Sequence, residues 1–87
     1  MRMKEFIYTV KDPLGIHARP AGMLVKAASG FKSDITIELD GKSADAKRIF
    51  AVMGLGAKCG HSLKINISGA DEEEATHALG EFLENNL

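Results

Sequence analysis

The chain contains no tryptophan, one tyrosine, one cysteine and two prolines. Each shortage excludes something. At 6% aromatic residues there is little from which to build stacking platforms for nucleic-acid bases. The lone Cys59 has no intrachain disulfide partner, which fits a reducing cytoplasm, and it lacks the CxxC spacing of a redox or zinc site. Charge of one sign is missing too. Eleven basic residues against 12 acidic leave a net charge of −1, without the basic excess or stripe of a nucleic-acid binder. No apolar run approaches the ~20 residues that cross a bilayer, so no direct membrane insertion is expected. Met1-Arg2-Met3-Lys4-Glu5-Phe6 lacks the apolar core of a signal peptide.

Length is the remaining shortage. The 87 residues make one domain, 1–87, with no internal repeat. Its folded surface should be roughly 5,000 Å² against ~13,500 Å² unfolded, enough for one modest core. A deep cavity enclosing a substrate is beyond it.

What is present is regular alternation. Phe6, Tyr8 and Val10 share a face, which predicts a strand over Lys4 to Val10. Lys11-Asp12-Pro13-Leu14-Gly15 is a loop punctuated by proline and glycine. The period then turns helical over Ala18 to Ala28, with Ala21, Leu24, Val25 and Ala28 on one face and Gly30 as the stop. Ile35, Ile37 and Leu39 alternate with polar residues, and Asp40-Gly41 signals a two-residue hairpin returning over Lys42 to Asp45. A short helix is expected from Lys47 to about Met53, and a fourth strand carries Leu63, Ile65 and Ile67. Asp71 with Glu74 has capping-box spacing, opening a helix with Ala75, Ala78, Leu79 and Phe82 buried. The order β-α-β-β-α-β-α predicts an α+β fold, a two-layer sandwich of a four-stranded sheet with three helices on one face.

The segment with chemistry is Gly15-Ile16-His17-Ala18-Arg19-Pro20-Ala21, where a loop meets a helix. His17 sits at or beside the N-cap. Pro20 falls in the first turn, where its missing N–H costs nothing. The amides of Ala18 and Arg19 are then free, as at any anion-binding helix end. Arg19 adds a planar cation suited to phosphate oxygens. The helix dipole and Arg19 both disfavour imidazolium, so a neutral, nucleophilic imidazole is expected. A loop histidine without chemistry remains the bland alternative.

The same segment resembles the active-site signature of the HPr family, the histidine-containing phosphocarriers of the bacterial sugar phosphotransferase system. The likeness continues through Asp40-Gly41-Lys42-Ser43-Ala44-Asp45-Ala46-Lys47, Ile49-Phe50-Ala51-Val52-Met53, Leu55-Gly56 and Ser68-Gly69-Ala70-Asp71-Glu72, over essentially the whole chain. The resemblance implies a phosphocarrier rather than an enzyme. His17 would accept the phosphoryl group on Nδ1, and Arg19 would steady it. The donor would be Enzyme I, phosphorylated from phosphoenolpyruvate, and the acceptors sugar-specific IIA proteins or domains. The sheet would be antiparallel and open-faced. No cofactor and no metal are implied.

Ile49, Phe50 and Met53 cannot all be buried under so short a helix, and the family uses the first two for docking. Burial of all three remains open, most of all for Met53, whose flexible thioether suits changing partners. Lys26, Lys47 and Arg48 would steer acidic partners. Arg48 stands where many relatives carry a regulatory serine, so control by HPr kinase is not expected. A regulatory or nitrogen-branch relative, or a small anion-binding module of another class, are the alternatives. His61 and His77 do not resemble the active site. His77, between Glu73 and Glu81, reads as an ion-paired helix face rather than a metal site. Gly54-Leu55-Gly56-Ala57 is no dinucleotide fingerprint.

Overall fold

The computed structural model describes residues 3–87. Met1 and Arg2, the start of the segment read for a signal peptide, lie outside them. The elements are β1 (Met3–Thr9), α1 (Ala18–Ser29), β2 (Asp34–Leu39), β3 (Lys42–Asp45), α2 (Ile49–Gly54), β4 (Ser62–Ser68) and α3 (Glu72–Asn86). The strands form one antiparallel sheet in the order β1-β4-β2-β3. The accessible surface, 5204 Å², agrees with the size scaling.

Alternation decides the layers. Tyr8, Ile35, Ile37, Leu39, Leu63, Ile65 and Ile67 are buried beneath the helices. The opposite face is solvated and mostly polar, with Lys64 paired to Glu5 and Asn66 bonded to Glu38, and Ile7 is its exposed apolar exception. The Asp40-Gly41 hairpin forms as its residues demand, both at positive φ (49° and 82°), with Leu39 opposite Lys42.

Three local expectations are corrected. The short helix starts at Ile49 rather than Lys47. Asp45 captures the Lys47 amide with its side chain and the Arg48 amide with its carbonyl, and that turn delays the helix. On α3 the buried stripe runs Glu72, Ala75, Leu79 and Leu83, while Ala78 and Phe82 are only half-buried at its margin.

The third concerns Asp71. It is the N-cap residue of α3, but its side chain makes no cap bond. Its carboxylate instead accepts the amides of Lys32 (2.8 Å) and Ser33 (2.9 Å) and the Ser33 hydroxyl, tying α3 to the α1–β2 turn. Glu72, not Glu74, reaches back to the Gly69 amide at 3.2 Å. The Ser33 hydroxyl above all, then the backbone amides, hold the Asp71 carboxyl down to about 2. A carboxyl lower in the folded state than in the unfolded chain stabilises fully above its unfolded value. That contribution is lost as pH falls from about 4 through about 2. Urea unfolding from pH 6 to pH 2 should show this acid loss, and Asp71→Asn should flatten it; equal slopes would refute the assignment.

Candidate functional site

The loop before α1 is held at both ends. Gly15 has φ +68° and is buried, and a Cβ there would fall on the Ala57 carbonyl oxygen and 2.8 Å from Lys58 Cα. No other residue type fits without movement. Next to it the Ile16 amide donates to the Ala57 oxygen at 3.1 Å, and the Ile16 side chain is buried. On the other side, the amides of Lys11 and Asp12 donate to the backbone oxygen of Leu87 at 2.6 and 2.8 Å. The Gly15 amide closes the turn onto the Asp12 carbonyl at 2.9 Å.

His17 emerges from this staple as the N-cap of α1, in extended conformation (φ −96°, ψ 178°). Its carbonyl accepts the Ala21 amide at 3.0 Å, the first bond of the helix. Its imidazole makes no capping bond and is therefore not consumed by the helix it begins. Pro20 and Ala21 are buried beneath, so the helix end cannot shift without disturbing the core. Ala18 and Arg19 are exposed, and their first-turn amides have no helical acceptor. Arg19 has no ion-pair partner among the described residues.

His17, Arg19, Asp12, Pro20, Met23 and Asn86 line a shallow hollow of about 240 Å³. A phosphoryl group entering it would meet free amides, a guanidinium and an imidazole. Two larger hollows lie elsewhere, one between β1 and α3 and one at the β3 edge, and neither includes His17. The sequence reading had passed over Asp12, whose Oδ2 lies 3.6 Å from His17 Nε2. Only its Asx-turn position before Gly15 hinted at a fixed place.

Several large apolar side chains are exposed, and one of them, Met23, lines the hollow itself. Phe50 is 85% exposed and Met53 37%, with Met23 and Leu14 also open. Leu14 and Met23 had been missed, since a single apolar residue in a loop or on a helix carries no periodic signal. Ile49 is half-buried and packs toward Gly22 of α1. Lys26 and Arg48 are exposed, Arg48 within 3.8 Å of Asp45. Lys47 is drawn into the fold, donating its ammonium to the Phe31 carbonyl at 2.9 Å.

The remaining candidates are structural. His77 pairs with Glu81 at 3.2 Å, Glu73 with Lys4, and His61 Nδ1 accepts the Lys58 amide at 3.0 Å. Cys59 is exposed. Among the described residues no group of three or more His, Cys, Asp or Glu is placed to hold a metal ion. No helix of the described residues is long and apolar enough to cross a membrane.

Known proteins match this architecture throughout. Residues 4–85 fit the family model described as the PTS HPr component phosphorylation site. The phosphocarrier protein HPr of Lysinibacillus sphaericus is 46% identical over 81 residues, covering 93% of this chain and 92% of that one. That of Mycoplasma genitalium is 44% identical over 85 residues, 97% of each. The crystal structure of HPr from Bacillus anthracis superposes with a TM-score of 0.87 at 38% identity, over 93% of this chain and 96% of that one.

Proposed function

The chain belongs to the HPr family, the phosphocarriers of the phosphotransferase system, and on that premise we propose that His17 is the residue that carries the phosphoryl group. The observation behind this is the N-cap position of His17. It places an uncommitted imidazole among free helix amides and the Arg19 guanidinium, in a hollow open to another protein.

Phosphorylated Enzyme I is the donor, and sugar-specific IIA proteins or domains are the acceptors, in the cytoplasm. The Nδ1 lone pair forms the bond to phosphorus as the bond to the donor breaks, and the electron pair stays with the donor. Arg19 and the amides of Ala18 and Arg19 meet the charge on the transferring oxygens. The hollow is shallow, so water is excluded only when the partner closes over it, and catalysis is completed in the complex. The whole chain, 1–87, acts as a single domain. No metal or cofactor is needed for these steps.

Phosphoenolpyruvate with Enzyme I tests the assignment. Acid-labile phosphate should appear, and peptide mapping should place it on His17. Label on His61 or His77, or none, would overturn the reading.

Docking falls to Phe50 with Ile49, Met53, Leu14 and Met23, and the exposed Lys26 and Arg48 supply the positive rim, whereas Lys47 is held on the Phe31 carbonyl. An aromatic side chain so exposed, on a helix that packs through Ile49 against Gly22 of the helix that His17 begins, suits the anchor of a small, transient interface. Phe50→Ala should raise the KM for phosphorylation about 30-fold, the ratio for a ~2 kcal/mol hot spot. The melting temperature should not move, because the side chain packs on little of its own protein. An unchanged KM would remove Phe50 from the interface. Arg48 offers no hydroxyl, so control by serine phosphorylation at that position is absent.

A further inference from the structure

Asp12 has no part in the steps above, yet its side chain is fixed facing His17. Its amide is bonded to Leu87 and its carbonyl receives the Gly15 amide. Its Oδ1 accepts the Leu14 amide at 2.9 Å. The carboxylate cannot swing away without giving up that bond. Its second oxygen, Oδ2, is left 3.6 Å from His17 Nε2, with the Asp12 side chain 25% exposed and that of His17 38%.

We propose that Asp12 is a positioning residue for phosphoryl transfer: its carboxylate keeps the proton on His17 Nε2 and leaves the Nδ1 lone pair free. Its role presupposes that His17 is the acceptor. A carboxylate only accepts hydrogen bonds, so a neutral imidazole facing it is favoured with N–H on the near nitrogen. The tautomer of a histidine is set by the partner of one ring nitrogen, which decides what the other can do. No cap bond competes for the ring. As Nδ1 gives its electron pair to phosphorus, the ring becomes positive while Nε2 keeps its proton. Asp12 offsets that charge on one side, and Arg19, in the same hollow, meets the phosphoryl oxygens. These are the two charged groups lining the hollow besides the histidine.

Asp12→Asn separates this role from a structural one. The amide oxygen can still accept the Leu14 amide, but an NH₂ then faces Nε2 and favours the proton on Nδ1. Imidazole ¹⁵N shifts of the neutral ring should show mainly Nε2–H in the unaltered protein and a larger Nδ1–H fraction in Asp12→Asn. The initial rate of phosphorylation by Enzyme I should fall about tenfold, less than the ~10⁴-fold seen for a buried carboxylate–histidine pair, because this pair is half-exposed. Unchanged thermal melting would exclude a merely structural cause, and Asp12→Ala, which also loses the Leu14 bond, provides the structural reference. Mainly Nδ1–H in the unaltered protein, or wild-type rate and spectrum in Asp12→Asn, would overturn the role of Asp12. Phosphate mapped to another residue would instead overturn the assignment of His17, whereas the ¹⁵N spectrum reads Asp12 without any phosphorylation.

Discussion

His17→Ala should lose phosphoenolpyruvate-dependent phosphorylation completely, with no residual rate, while remaining folded. The loss is total because no second nucleophile shares the hollow. Asp12 is committed to the loop and the imidazole, and Arg19, Pro20, Met23 and Asn86 offer none. The fold should survive because the imidazole makes no capping bond and is half-exposed. Substitutions of that kind fall within about ±0.5 kcal/mol. For a domain of this size that moves the melting temperature by ~2–4 °C. Acid-labile label counted per chain, with circular dichroism on the same sample, measures both. Label persisting on a folded His17→Ala chain would place the acceptor elsewhere. Loss of label together with loss of fold would be answered by His17→Gln, which keeps a polar side chain at the helix start.

Gly15→Ala should be the most destabilising small substitution near the site. Alanine at positive φ costs roughly 1–2 kcal/mol through its Cβ alone. Here that Cβ also meets the Ala57 carbonyl, which is backbone and engaged with the Ile16 amide. Overpacking of this kind adds about 1–3 kcal/mol. A total near 3 kcal/mol is a large share of the ~5–15 kcal/mol that holds a domain together, and the midpoint should drop by ~10–20 °C. Gly41→Ala and Gly56→Ala are the controls. Both glycines have positive φ (82° and 65°), but a Cβ at either meets nothing within 4 Å. They should show the backbone cost without the collision. Equal losses at all three positions would mean that the contact with Ala57 is accommodated freely.

Much of this architecture is legible in residue order, because strands and helices announce themselves through their own periods. The Asp40-Gly41 turn, the alternation through Ile35 to Leu39, and the glycine before Ile16-His17 all act within a few residues. What is not legible depends on residues far apart. Asp71 has the local spacing of a capping box, yet its carboxylate is claimed by Ser33, on the turn between α1 and β2. Asp45 holds back the start of α2 by an Asx turn, which a helical period does not register. Between Ile49 and Phe50, which of two neighbouring apolar residues faces outward follows from how α2 lies against Gly22. Asp12 looks like loop punctuation until the chain brings His17 around to face it.

The loop before α1 owes its shape to Ala57 on one side, reached through α1, β2, β3 and α2, and on the other to Leu87, which follows α3. Contacts that span such distances close only after the intervening chain has found its place. The reactive geometry therefore cannot exist in a fragment or in a partly folded intermediate. An early collapsed form would carry the same histidine without the arrangement that makes it a recipient. Competence for phosphorylation should appear together with the final cooperative folding step, so during refolding it works as a clock for completion of the native state.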